Sequence, residues 1–265
     1  MNLSRRIFGG PSLPSLVVAL GLGSAAVVLA NWTASTAGID DTFITYVFAR
    51  RFALGQGLTW PASTALGTSS PFLAVVLGVL SRATGFEVPI LGNAMSWAAI
   101  ALASQGLFVL GRREGWPLAG LTAGLLWFTS AYKFFLLGNE YLPAIAAAVW
   151  ALYARAEKRF VCAGVLLAFG AMFRAEVGLV ALFVAAMEFD RQALGDSVRR
   201  IAKIAAAAML VATLWLLALH ALSGTIVPRT LAAKRAQHES NLGWSHANPL
   251  AATMGTANTV FPLTR

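Results

Sequence analysis

A chain of 265 residues that is 58% hydrophobic, only 12% charged and has a mean hydropathy of +0.70 carries too little polar surface for a water-soluble domain. Its net charge of +9, from 20 Lys and Arg against 11 Asp and Glu, would suit nucleic acid in a soluble protein. Here the basic residues gather in short stretches between apolar runs, so no nucleic-acid partner is expected and the charge reads as a membrane-topology signal.

The amino terminus, "LSRRIFGG", looks like a twin-arginine export signal. Six further apolar runs follow, so Arg5 and Arg6 read better as charges that hold the start of the first span in the cytoplasm. The first span is Pro14 to Trp32, with its proline tolerated at a helix start. Residues 33–87 then form a first extracytoplasmic loop. It contains "DDTFITYVFARRFALGQG", in which Phe43, Ile44, Val47, Phe48 and Phe52 fall on one helical face and Thr42, Thr45, Ala49 and Arg50 towards the other. Acids at the start and arginines at the end suit the helix dipole, and the glycines after it stop the helix. Such a helix lies in the membrane interface. Read blandly, Asp40 is an N-cap and Asp41 a first-turn acid. The run Pro71 to Leu80 is too short to cross and reads as a re-entrant or surface helix.

Further spans are predicted at Val88 to Leu110, Trp116 to Leu137, Tyr141 to Tyr153, Phe160 to Phe173, Val177 to Phe189 and Ile204 to Leu222. Three of them are only 13 or 14 residues long. At about 1.5 Å per residue they fall short of a hydrocarbon layer of roughly 30 Å and must borrow flanking residues. Cys162, the one cysteine, has no partner for an internal disulfide and reads as a small buried hydrophobe. With Pro71 to Leu80 not crossing, the stretches at 112–113, 155–159 and 191–203 face the cytoplasm together and carry nine basic residues. The opposite ends carry Lys133 and Arg174. Arg50, Arg51 and Arg82 also lie outside, against the rule. The expected fold is therefore all-α: a single-domain polytopic bundle over 1–265 with about seven spans, a cytoplasmic N-terminus and interfacial helices in the first outer loop. Asp40, Asp41, Asn139, Glu140, Arg174, Glu176 and the segment "IVPRTLAAKR" then share the outer face. Charges near membrane depth are costly, so such a cluster suggests a site opening on that face.

These residues also resemble a known family. "DDTFITYVFARRFALGQGLTW" followed by "GTSSPF" is similar to the first extracytoplasmic loop of C-type (GT-C) glycosyltransferases, nearest to the bacterial arabinofuranosyltransferase- and mannosyltransferase-like branch. "LGNEYLPAIAAAVWALY" looks like that branch's Gly-x-Glu start of a span. "LLAFGAMFRAEVGLV" looks like its Arg-Pro-Glu-Gly turn, with Ala175 for proline and Val177 for glycine, and "IVPRTLAAKR" like its Pro-Asn-Thr…Ala-Lys loop, with Arg229 for asparagine. The likeness covers roughly residues 14 to 235. Family members usually run longer, with more spans and often an outer carboxyl-terminal domain, so the chain is expected to be a fragment or a truncated form.

The resemblance implies an inverting membrane enzyme of the bacterial plasma membrane. It would move a sugar from a polyprenyl-phosphate donor to an envelope glycan, lipid or protein acceptor. An aspartate of the acidic pair would be the base. Adjacent residues on a helix point about 100° apart, so the two acids differ in role; Asp41 is the better base, with Asp40 capping the helix or contacting the sugar. Arg51, Arg174, Arg229 and Lys234 are candidates for the donor phosphate, and Lys234 matches the family's lysine. Glu140 and Glu176 are candidate substrate contacts, although Arg174 and Glu176 could simply pair and Glu140 could cap its helix. Lys234 and Arg235 also suit anionic membrane lipids. Replacing Arg174 or Lys234 is expected to weaken donor use with little loss of folding. His220, His238 and His246 lack metal-ligand spacing, so no cofactor is expected, with a divalent cation left open. Two other readings stay open: a transporter or lipid flippase, and a non-catalytic envelope-assembly subunit.

Overall fold

The computed structural model describes residues 13–33, 40–59, 66–130, 134, 136–190 and 192–226. Among them it is all-helical, with nine α-helices: α1 (Leu13–Trp32), α2 (Asp40–Ala53), α3 (Pro71–Thr84), α4 (Val88–Arg113), α5 (Pro117–Thr129), α6 (Tyr141–Ala156), α7 (Phe160–Phe173), α8 (Val177–Met187) and α9 (Leu194–Ser223). Two have the length and apolarity of membrane spans: α4, with 26 residues and a mean hydropathy of 1.5, and α9, with 30 residues and 2.1. At about 1.5 Å per residue, α9 is roughly 45 Å long, more than a hydrocarbon layer needs.

Seven helices (α1 and α4 to α9) run alternately between two ends of one bundle. At one end Thr33, just past α1, takes hydrogen bonds from Asn93 Nδ2 and Trp97 Nε1 of α4, both 2.8 Å. Ser96 Oγ of α4 accepts from the backbone N–H of Gly138, before α6, at 2.7 Å. Arg174, after α7, reaches Glu140 at the same end. At the other end Arg113 of α4 meets Glu157 after α6 at 2.5 Å. Glu188, after α8, bridges Arg155 of α6 at 2.6 Å and Arg200 of α9 at 2.7 Å. We call these the acidic end and the basic end, after the ion-pair centre each holds: two carboxylates about Arg174 at one, two arginines about Glu188 at the other.

Close approach depends on small residues. Gly120 and Gly124 of α5 stand against the backbone of Leu107, Phe108 and Ser104 of α4, where a Cβ would strike main-chain atoms. Gly164 of α7 lies in the same way against Ile204 of α9. Backbone-to-backbone contact of this kind is how helices associate when lipid surrounds them, because burying large side chains brings little gain there. The exterior fits that principle. Large apolar residues such as Leu179, Leu182 and Phe183 of α8 and Met209, Leu210 and Leu214 of α9 are all more than half exposed.

The hairpin of α2 and α3 lies across the acidic end. Leu73, Ala74 and Leu77 of α3 are fully buried against Phe48 and Ala49 of α2. Phe72, in the first turn of α3, makes edge contacts with Phe173 of α7 and Trp215 of α9 at centroid distances of 4.8 and 4.9 Å. Val79 and Arg82, in its last turns, line a cavity with Ala221 and Leu222 of α9. Both ends of α3 therefore touch one end of the bundle.

Four expectations need correction. The apolar run to Leu137 does not make one helix: α5 stops at Thr129, Ser130 is extended (φ −55°, ψ 125°), and Leu137 turns into the core beside Trp97. The stretch 191–203 is not a connecting loop, since α9 already begins at Leu194, with Asp196 in its first turn where the dipole favours an acid. The apolar residues of α2 do not share one environment. Thr42, Thr45, Tyr46, Phe48 and Ala49 are buried, whereas Phe43, Ile44 and Val47 are 42–45% exposed. Small residues let α2 seat closely beside the buried Tyr46 and Phe48, and three large apolar side chains are left outside, the arrangement expected where lipid bathes the exterior. Cys162, expected in the core, is exposed, because Ala163 and Gly164 take the packing face of α7.

Candidate functional site

At the acidic end the turn "GNE" (138–140) is built from within. Gly138 has a φ of +76°, a left-handed conformation that favours glycine, and a Cβ there would collide with Tyr46 Oη and with Thr42 Cγ2 of α2. Asn139 and Glu140 are buried at 2% and 7% exposure. The backbone N–H of Tyr141 donates to Asn139 Oδ1 at 3.3 Å, which fixes the start of α6. Glu140 occupies the N-cap position of that helix, but its side chain makes no cap bond.

Glu140 instead accepts from Arg174 Nη1 at 2.9 Å, across 34 residues of chain. Arg174 Nε donates to Glu176 Oε2 at 3.1 Å, and Nη2 to Glu176 Oε1. The guanidinium also stands 3.9 Å from the centre of the Tyr141 ring. Burial works against the charge of Arg174, but the bonds to Glu176 and then Glu140 outweigh it and hold the guanidinium above its ordinary value. These bonds use three of its five N–H donors. Glu176 is the open side of the cluster, with its side chain 62% exposed.

The first turns of α2 pack on the turn that leads into this cluster. Thr42 and Tyr46 press on Gly138, and Tyr46 also presses on Gly92 of α4. Their hydroxyls, Thr42 Oγ1 and Tyr46 Oη, are buried and have no hydrogen-bond partner among the described residues, and burial pushes the Tyr46 phenol up from its ordinary value. The helix opens at Asp40 and Asp41, so both backbone positions lie directly before Thr42; their side chains are outside the described residues.

The candidate residues thus divide into three groups. Glu140, Arg174 and Glu176 come together, and the helix that starts at Asp40 and Asp41 packs on Gly138, two residues before Glu140. Arg51 does not join them: it is ten residues beyond Asp41, about 15 Å along the helix, where Nη2 donates to Gln56 O at 3.4 Å. Arg229 and Lys234 lie outside the described residues. Sequence reasoning missed Tyr46 and Gly138, which set the distance between α2 and the turn, and Ser96, which ties the turn to α4; the signal was a glycine directly before two polar residues and an apolar helix. Among the described residues no group of three or more His, Cys, Asp or Glu side chains is placed to hold a metal ion.

Comparison with models of protein families, with characterised proteins and with solved structures finds no match to this chain.

Proposed function

We propose that this chain is a membrane glycosyltransferase, moving a sugar from a polyprenyl-phosphate donor to a cell-envelope glycan, lipid or protein acceptor at the outer face of a bacterial plasma membrane, with inversion. The reading rests on one observation. The helix start that carries Asp40 and Asp41 packs on the turn of Glu140, which is in turn bonded to Arg174, so segments 99 to 134 residues apart in sequence meet at one end of the bundle. Charged side chains held at a membrane boundary generally serve a substrate path or a reaction site.

The seven alternating helices are the proposed spans, with the basic end in the cytoplasm and the acidic end outside. The nine basic residues of 112–113, 155–159 and 191–203 support this orientation. Helices α5 to α8 have 13, 16, 14 and 11 residues. That is about 16–24 Å of helix against roughly 30 Å of hydrocarbon, so their terminal turns sit within a locally thinned layer.

In this reading Asp41 takes the proton from the acceptor hydroxyl as that oxygen attacks the anomeric carbon, and the bond to the lipid phosphate breaks on the opposite face. Asp40 caps α2 or contacts the sugar. The negative surroundings made by Glu140 and Glu176 favour a sugar ring that becomes positive in the transition state. Arg174 is engaged by two carboxylates, so it serves here to hold Glu140 in place. The departing phosphate is assigned to Lys234 and Arg229, where lysine acts as a point charge and arginine as a two-pronged donor.

The test is transfer of sugar from a polyprenyl-phosphate donor by the protein in vesicles. Asp41→Asn is expected to lower the rate by about 100-fold or more at unchanged thermal stability. Full transfer by both Asp41→Asn and Asp40→Asn would remove the acidic pair from the chemistry. Uptake of substrate without any transfer by the wild type would point to a transporter instead.

A further inference from the structure

A cavity of about 670 Å³ lies at the basic end, away from the acidic cluster. Its walls come from the α6–α7 turn, the end of α8 and the beginning of α9. Part of the lining is already neutralised: Glu188, 8% exposed, is held between Arg155 and Arg200. Three further cations face the cavity, Lys158, Arg199 and Lys203, and among the described residues none of their side chains makes a hydrogen bond or ion pair. Arg199 and Lys203 stand four residues apart on α9 and so share one face. Lys158 comes from the opposite wall, at a φ of +59°, the sole positive-φ residue other than glycine among the described residues. That conformation costs a lysine free energy that glycine would avoid, and such strain tends to persist where a side chain is needed in one place. Glu114 and Asp196 add two acids to the lining, and Asp190 accepts from the Gln192 N–H at 2.9 Å. Across the lining, five cations face four acids.

The surroundings of the cavity are apolar. Met187 and Phe189 at its rim are 43% and 55% exposed. Exposed large apolar side chains also occur farther along both helices that leave it, Leu182 and Phe183 on α8 and Met209 and Leu210 on α9. A water-soluble phosphate ester would make no use of such apolar helix surfaces, whereas acyl chains would cover them.

We infer that this cavity binds the headgroup of an anionic glycerophospholipid of the leaflet at the basic end. The phosphodiester sits among Lys158, Arg199 and Lys203, headgroup hydroxyls donate to Glu114 and Asp196, and the acyl chains lie along α8 and α9. One negative charge matches the single excess positive charge of the lining, and uncommitted lysines and arginines at a membrane surface are drawn to anionic lipid. The lipid is structural or regulatory and is independent of the sugar donor.

The test is native mass spectrometry of the full chain, released from detergent after titration with phosphatidylglycerol or phosphatidylcholine. One phosphatidylglycerol is expected to be retained about tenfold or more tightly than phosphatidylcholine. The triple variant Lys158→Gln/Arg199→Gln/Lys203→Gln should lose that preference, whereas Arg50→Gln/Arg82→Gln at the other end should keep it; circular dichroism and thermal unfolding establish that both fold. Equal retention of the two lipids by the wild type overturns the inference. So does an equal loss in both variants, which would show general charge attraction. Displacement of the lipid by millimolar glycerol phosphate would assign the cavity to a soluble ester and also overturn it.

Discussion

The two ends of the bundle use the same chemical groups in opposite ratio. At the basic end one carboxylate, Glu188, lies between two arginines, Arg155 and Arg200. At the acidic end one arginine, Arg174, lies between two carboxylates, Glu140 and Glu176. Each centre is partly buried, so each needs its partners, yet the clusters leave opposite residual charge. In the proposed orientation the positive cluster agrees with the positive-inside rule, whereas the negative cluster at the other side gains nothing from it and calls for a different cause. The proposed cause is chemistry on a sugar, which needs a base and tolerates negative neighbours around a developing positive charge.

This contrast can be broken by substitution, and the largest effect is expected at the basic end. Glu188→Ala leaves Arg155 and Arg200 facing each other without their shared partner, and a loss of about 4 kcal/mol in unfolding free energy is expected. Thermal or denaturant unfolding in detergent measures it. Arg174→Ala should cost about 3 kcal/mol, because the buried Glu140 loses its ion pair; this replaces the sequence-based expectation of little effect on folding. Glu176→Gln should change stability by about 0–1 kcal/mol, since that carboxylate is mostly exposed. If Arg174→Ala and Glu176→Gln are equally mild, the acidic cluster is a surface pairing and the contrast between the ends disappears.

Smaller effects sharpen the seat of α2. Gly138→Ala should destabilise by about 2 kcal/mol, from a left-handed backbone and a methyl group against the Tyr46 hydroxyl. Tyr46→Phe should be neutral or stabilise by up to about 1 kcal/mol, because the hydroxyl it removes has no partner among the described residues. Combined, the two changes should cost less than their sum, since removing the hydroxyl makes room for the methyl. Strict additivity would mean that α2 does not press on the turn.

The long apolar runs behind α1, α4 and α9 were legible in the sequence, because hydropathy over a span depends on composition alone. Helix ends were less so. Nothing in the run 116–137 except Ser130 and Lys133 marks the break after Thr129, and the charges of 194–203 read as a loop although they suit an amphipathic helix leaving the membrane. The inward face of α2 was misread because the usual rule, apolar inside, weakens when lipid is the solvent: Thr42, Thr45 and Ala49 pack inward because they are small. At the site, the pairing of Arg174 with Glu176 was visible at a spacing of two residues. The bond from Arg174 to Glu140 was not, since it depends on α6 and α7 running side by side.

The central claim is that the two clusters face opposite sides of a membrane, and site-directed labelling tests it most directly. In a Cys162→Ser background, a cysteine at position 176 or at position 199 is exposed to a membrane-impermeant maleimide in intact spheroplasts. Labelling of position 176 in intact spheroplasts, and of position 199 only after permeabilisation, is the result expected. Labelling of both positions from the same side would contradict the account.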